Sequence, residues 1–60
     1  MMTTIPSDTV MLLSFINMKL RDEFDSLDEL CRSLDIDRAA LCRKLHDIGY
    51  DYVEAVNQFK

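Results

Sequence analysis

Apolar residues recur every three or four positions through three stretches of the chain, which is the spacing of amphipathic helices. In the first stretch, five apolar residues gather on one side of a helix: Leu12, Leu13, Ile16, Leu20 and Phe24. The residue before Pro6 is kept out of the α region, so we predict an extended N-terminus over 1–6. We predict the first helix over 8–24, with Asp8 as its N-cap and Ser7 as the alternative cap.

A capping box marks the start of the second helix. The Ser26 hydroxyl can accept from the third helical N–H while Glu29 reaches back, so we predict a helix over 27–34. Four of its residues face inward: Leu27, Leu30, Cys31 and Leu34. A turn over 35–37 follows, in which Ile36 points into the core and Asp35 tolerates a positive φ.

The third helix is predicted over 38–48, with Asp37 as its N-cap. Its buried side is formed by Leu41, Leu45 and Ile48, with Cys42 flanking them. Gly49 suits the left-handed residue found just past a helix end. Helices two and three, joined by a short turn, have the spacing of a helix-turn-helix.

The last segment, 50–60, begins with alternating aromatic residues, Tyr50 and Tyr52, and continues through a turn that contains polar residues to Phe59. This pattern favours a small hairpin, and a short fourth helix is the alternative because Val53 to Phe59 contains no Gly or Pro. The predicted fold is therefore mainly α. It is a three-helix, helix-turn-helix-like bundle with a small C-terminal β-hairpin, in one domain over 1–60.

A second apolar stripe lies on the first helix, roughly opposite its core-facing side. It consists of Met11, Phe15 and Met18. One helix cannot bury both sides against the same neighbours. Either the chain's own tail covers this stripe, or another protein chain does, because large exposed apolar patches usually mark interaction surfaces.

The third helix also presents residues that could contact DNA. In a helix-turn-helix protein, its outer side would face the bases, and here that side holds Ala39, Arg43 and His46. Three further basic residues could reach phosphates: Arg32, Arg38 and Lys44. Five acids in the same segment outnumber its four basic residues, and we interpret Asp28/Arg32 and Arg43/Asp47 as i,i+4 helical partners or as a solvated mixed-charge face.

The whole chain of 60 residues carries a net charge of −4, which repels phosphate backbones and anionic lipids. Its longest apolar stretch is too short to span a bilayer, so we expect no membrane association. The N-terminus has no secretory signal pattern, which makes the cytoplasm the expected compartment and reduced thiols the expected state.

Metal and catalytic chemistry find little support in the sequence. Cys31, Cys42 and His46 lack an obvious fourth ligand and the close pairs typical of structural zinc, so we expect no metal and no cofactor. Acids such as Asp22 and Asp25 are interpreted as a solvated helix end. We predict that the protein is not an enzyme.

Two segments, "SDTVMLLSFINMKLRDEFDSLDELC" and "DRAALCRKLHDIGYDY", and the closing "NQF" resemble a family of very small bacterial proteins. That family is the domain of unknown function number forty-two fifty, and the resemblance extends from Pro6 to Phe59. It implies a standalone bacterial protein and implies no activity. Thr9 stands where the family pattern leads us to expect proline, and Glu54-Ala55-Val56 stands where it leads us to expect a polar turn.

Polar residues of the first helix within this pattern are expected to have structural roles. Asn17 lies between the two apolar stripes, where it can hydrogen-bond to the backbone of a loop or of a partner chain. Arg21 and Asp22 can cap or clamp the tail. A binding patch formed by Asn17, Lys19, Arg21 and Asp22 is the alternative role.

The sequence predicts a non-enzymatic protein-interaction module. Its partner is another protein or a second copy of the chain, bound through Met11, Phe15 and Met18. The alternative is a small helix-turn-helix regulator that binds DNA through Arg43 and His46.

Overall fold

Three α-helices followed by a short antiparallel hairpin make up the fold. The computed structural model describes residues 8–60, so the extended segment predicted over 1–6 and the alternative cap Ser7 lie outside the described residues. The elements in chain order are α1 (Thr9–Asp22), α2 (Leu27–Leu34), α3 (Arg38–His46), β1 (Tyr52–Val53) and β2 (Gln58–Phe59). The predicted class, a mainly helical bundle with a C-terminal hairpin, is confirmed.

Each helix begins at a side chain that accepts a hydrogen bond from a first-turn N–H group. The caps and their donors are Asp8 with Val10 (2.9 Å), Ser26 with Glu29 (3.2 Å) and Asp37 with Ala39 (3.1 Å). These are the residues that the sequence predicts as caps. Each bond satisfies a backbone donor that has no partner within the helix.

Two helices end two residues earlier than predicted. α1 ends at Asp22 instead of residue 24, because Glu23 leaves the helical region with φ −127°. α3 ends at His46 instead of residue 48, and the chain turns through Gly49 at φ +88°. Ile48, predicted as core, is consequently 37% exposed.

The turn between α2 and α3 depends on one left-handed residue. Asp35 has φ 56° and ψ 49°, and its N–H still donates to Cys31 O. The N–H of Ile36 donates to the same carbonyl at 2.8 Å. The predicted role of Asp35 is confirmed, and it reverses the chain within three residues, as a helix-turn-helix requires.

The core draws on all three helices and on one strand. Its buried residues are Leu12, Ile16, Leu20, Leu27, Leu30, Cys31, Leu41, Leu45 and Phe59. Leu13, Phe24 and Leu34, which were predicted as core, are half-buried against this cluster. Phe59 is only 1% exposed, so the hairpin contributes a fully buried side chain.

The hairpin pairs Tyr52 with Phe59 and Val53 with Gln58, and a 3-10 turn over Glu54–Val56 connects its strands. The rings of Tyr52 and Phe59 are 5.5 Å apart between centroids, tilted by 53°. A two-stranded hairpin is marginal by itself, so its attachment to the helices matters.

Asn17 of α1 attaches β2 to the helices. Its side-chain Nδ2 donates to Phe59 O at 3.0 Å, and its Oδ1 accepts from Phe59 N at 2.9 Å. The amide thus satisfies both backbone groups of Phe59, as a third strand would. Of the two partners that the sequence allows for Asn17, the chain's own hairpin is the one it contacts.

Asn57 makes a second attachment, at the C-terminal end of α1. Its Nδ2 donates to Leu20 O at 3.1 Å and to Phe24 O at 3.0 Å. Its Oδ1 accepts from the Tyr52 hydroxyl at 2.6 Å. Asn57 has φ 52°, a conformation that asparagine tolerates better than most residues. The hairpin thereby satisfies one carbonyl near the end of α1, that of Leu20, and one just beyond the helix, that of Phe24.

We expect Asn17→Ala to lower the free energy of unfolding by about 2 kcal/mol, because it leaves the N–H and C=O of Phe59 without their partner. Domains of this size rarely have more than about 3–5 kcal/mol in total. Urea unfolding followed by circular dichroism measures the loss.

Ser14→Ala is the matched control, since Ser14 is exposed on the same helix. A surface change of this kind should stay within about 0.5 kcal/mol of the wild type. Equal stability of Asn17→Ala and Ser14→Ala would show that the amide contributes nothing.

Candidate interaction surfaces

The outer face of α1 exposes two of the three residues predicted for protein contact. Met11 is 62% exposed and Met18 is 42% exposed. Phe15, between them in sequence, is half-buried against the core, and Lys19 Nζ lies 5.6 Å from its ring centroid. The tail therefore leaves Met11 and Met18 accessible. We call Met11, Phe15 and Met18 the α1 face.

A cleft of about 620 Å³ between α1 and the hairpin extends this surface. Met18 lines it from the helix and Val56, 52% exposed, lines it from the turn of the hairpin. Sequence reasoning missed Val56, because only the folded hairpin brings a residue from the end of the chain beside α1. Asn17 lies in the same cleft, where its amide is engaged with Phe59.

Arg21 and Asp22 pair with each other and do not clamp the tail. Arg21 Nε donates to Asp22 Oδ1 at 3.0 Å, and both side chains are exposed. The hydrogen bond from Arg21 lowers the pKa of the Asp22 carboxyl, and the bond to Asp22 raises the pKa of Arg21. The tail is held by Asn17 and Asn57 instead. The predicted clamp is therefore wrong.

Arg38, one of the cations predicted for phosphate contact, is engaged within the chain. Its guanidinium forms an ion pair with Asp28 and lies 5.8 Å from the centroid of the Tyr52 ring. The hydrogen bond to Asp28 raises the pKa of Arg38. Of the two interpretations of Asp28 and Arg32, helical partners or a solvated mixed-charge face, the helical pair does not form within the described residues. The turn between α2 and α3 brings Arg38 into contact with Asp28, although Arg38 is ten residues further along the chain and Arg32 is only four.

His46, predicted to face DNA bases, also has an internal partner. Its Nδ1 lies 2.7 Å from Asp51 Oδ1, and both side chains are exposed. The hydrogen bond to the Asp51 carboxylate, with its negative charge and that of Asp47, raises the pKa of His46. The pair joins the end of α3 to the residue that precedes β1.

The remaining DNA candidates, on α2 and α3, are exposed. Arg32, Arg43 and Lys44 have no ion-pair partner within residues 8–60, so the helical Arg43/Asp47 pair does not form. Ala39 is exposed beside them in the sequence. Arg43 and Lys44 also border a groove of about 390 Å³. We call it the α3 groove, and its lining is Leu12, Ile36, Asp37, Ala40, Leu41, Arg43 and Lys44.

The two cysteines are free thiols. Cys31 is buried, and burial, followed by the proximity of Cys42, raises the pKa of its thiol. No group of three or more His, Cys, Asp or Glu side chains in the described part of the chain is placed to hold a metal ion. Over the same residues, no helix combines the length and hydropathy of a transmembrane span.

A family model described as Domain of unknown function (DUF4250) matches residues 6–59. The chain belongs to this family. No curated protein and no solved structure matches it. Three residues that carry the resemblance to DUF4250, Asn17, Asn57 and Phe59, make the attachment between α1 and the hairpin. This part of the family pattern thus has a structural explanation.

The His46–Asp51 pair should make folding stability depend on pH. Because the folded pKa of His46 lies above its ordinary value of about 6.5, the pair stabilises the fold fully below that value. This contribution is lost as the pH rises through the folded pKa. We therefore expect Asp51→Asn to destabilise the protein more at about pH 6 than at about pH 8.5, as measured by urea unfolding at both pH values.

Asp47→Asn is a suitable comparison, since Asp47 raises the pKa of His46 less than Asp51 does. It should show a smaller difference between the two pH values. A destabilisation by Asp51→Asn that is the same at both would contradict the role of the pair.

Proposed function

We propose that this DUF4250 protein is a non-enzymatic protein-interaction module that self-associates through the α1 face. The observation that carries the proposal is the exposure of Met11 and Met18, 62% and 42%, on a helix whose opposite side is core. Exposed apolar groups of this kind are typical of contact surfaces, and methionine adapts readily to a partner.

The residue spacing on α1 supports a second copy of the chain as the partner. Two-fold symmetric interfaces are self-complementary, so a residue on one copy must suit its mate on the other. In an antiparallel pair of α1 helices with the axis between Ser14 and Phe15, Met11 falls opposite Met18 of the second copy. The Phe15 rings lie next to the axis, where Ser14 is small enough for close approach.

Charge favours the same arrangement. In this register Asp8, at the start of α1, falls opposite Arg21 of the second copy, near the end of α1. Both are exposed. Arg21 already pairs with Asp22 of its own chain, so these opposite charges favour the register without fixing it, while a parallel pair would place Asp8 beside Asp8. The helix has only 14 residues, so the interface is small and the dimer is expected to dissociate readily.

The absence of enzymatic activity is part of the proposal. Four of the five groups with shifted pKa values lie in exposed pairs. Arg21 and Asp22 pair with each other, Arg38 pairs with Asp28, and His46 pairs with Asp51. The fifth, Cys31, is buried in the core. The largest cause of each shift is one neighbouring side chain or burial.

A DNA-binding regulator is the second candidate. The left-handed turn at Asp35 favours it, and so do the exposed Arg43 and Lys44, which have no ion-pair partner within residues 8–60. Against it, Arg38 and His46 are already engaged with Asp28 and Asp51. Few cations therefore remain to neutralise DNA phosphates and release their counterions. The net charge of the chain, −4, further opposes binding to DNA.

We expect Met18→Asp to raise the dissociation constant of the dimer at least tenfold, because it buries a charge in an apolar contact. Sedimentation equilibrium over a wide concentration range measures the constant. Met11→Asp should have a similar effect, since the two residues face each other in the proposed pair. Phe15 is unsuitable for this test because it also packs against the core.

Tyr50→Asp is the matched control, since Tyr50 is 38% exposed and lies away from α1 in the sequence. Its dissociation constant should equal that of the wild type. A wild-type mass of one chain at the highest concentration, or equal weakening by Tyr50→Asp and Met18→Asp, would refute self-association through the α1 face.

We expect no binding of duplex DNA at about 0.15 M salt, because the few free cations neutralise few phosphates. Fluorescence anisotropy with a labelled duplex tests this. Binding that strengthens at low salt and disappears in Arg43→Ala would establish the DNA-binding candidate.

A further inference from the structure

The α3 groove combines an apolar floor with a basic border. Leu12, Leu41 and the half-buried Ile36 provide apolar surface at its base, and exposed Ala40 leaves it open. Arg43 and Lys44 stand at the border. Its volume of about 390 Å³ is at the small end of the range of about 300–1,000 Å³ usual for ligand pockets.

Four of the seven basic residues have no ion-pair partner within residues 8–60, and two of these four, Arg43 and Lys44, line the α3 groove. Three of the seven basic residues are held in ion pairs with acids of the same chain: Lys19, Arg21 and Arg38. Arg43 and Lys44 lack such partners among residues 8–60, although the chain carries 11 acids. The acid in the lining, Asp37, already accepts a hydrogen bond from the N–H of Ala39. Two adjacent cations beside apolar surface are therefore available to an external acidic group.

From this combination we propose that the α3 groove binds an acidic peptide segment of another protein, with an apolar side chain in the groove and carboxylates on Arg43 and Lys44. DNA supplies the negative charge but presents hydrated phosphates, which gain nothing from the floor formed by Leu12 and Ile36. An acidic segment with an apolar anchor satisfies both features. This site shares no lining residue with the α1 face, so it can be occupied in the monomer or in the proposed dimer.

Ala40 provides a substitution that separates the two ligands. Ala40→Lys adds a positive charge at the groove and fills it with a long side chain, and lysine suits a helix interior. An additional cation strengthens binding to DNA phosphates. The same side chain obstructs an apolar anchor. Peptide binding should therefore weaken while DNA binding should strengthen.

The experiment uses the full chain labelled with ¹⁵N and a short peptide in which a Leu-Phe pair is flanked by Glu residues. NMR titration to about 1 mM detects even weak complexes. We expect the largest shift changes in the amides of residues 36–44. Replacing each Glu with Lys, or Leu-Phe with Ser-Ser, should weaken binding at least tenfold.

The matched variants are Arg43→Glu and Ala40→Lys, both expected to weaken binding at least tenfold, with Arg32→Glu as the control for general charge. Arg32 is exposed and has no ion-pair partner in the described part of the chain, but it lies outside the α3 groove. The spectrum of each free variant shows that it is folded.

Four results would overturn the proposal: no shift changes at 1 mM peptide, shift changes centred on Met18 and Val56, tighter peptide binding by Ala40→Lys, or equal effects of Arg32→Glu and Arg43→Glu. Binding of a duplex DNA in place of the peptide, strengthened by Ala40→Lys, would assign the surface to nucleic acid. None of these results depends on whether the α1 face forms a dimer.

Discussion

The burial of Phe59 is the interaction on which the rest of the fold depends. Three helices of 14, 8 and 9 residues enclose a small core, and Phe59 is the one fully buried residue that comes from the hairpin. Truncating a buried Phe typically costs about 3–5 kcal/mol, comparable to the whole stability of such a domain. The ring can be buried only if the backbone of β2 approaches α1. Asn17 provides hydrogen-bond partners for the N–H and C=O of Phe59, which offsets the cost of removing these groups from water.

Features decided by neighbouring residues could be predicted from the sequence. The caps Asp8, Ser26 and Asp37, the left-handed Asp35 and the hairpin all follow from local residue chemistry or alternation. The ends of α1 and α3 could not, because helix ends depend on what the following chain contacts. Asn17 was identified as an unusual polar residue, but its partner lies 42 residues away, which no periodicity reveals. The ion pair of Asp28 with Arg38 could not be predicted for the same reason, since the two residues lie on different helices, ten positions apart.

For the candidate surfaces, the helical pattern identified the α1 face but could not say how much of it the tail covers. The structure leaves Met11 and Met18 exposed and half-buries Phe15, so a residue predicted for contact also serves the core. The α3 groove could not be predicted from the sequence. Its lining combines Leu12 of α1 with the turn and one face of α3, and these residues meet only after the helices pack. A count of charges along the segment also could not show that Asp28 pairs with Arg38, while Arg43 and Lys44 have no ion-pair partner among the residues that the structure describes.

α1 connects these observations because each of its sides has a different role. Its inner side forms the core through Leu12, Ile16 and Leu20, Asn17 on its flank holds the hairpin, and Met11 and Met18 point outward. A partner that binds the folded helix and not the unfolded chain stabilises the fold by mass action, and this gain grows with the concentration of the partner. In a 60-residue domain with a thin margin, such a gain is a large fraction of the total stability. Association through the α1 face would therefore also stabilise the core and the attached hairpin, since both depend on the same helix.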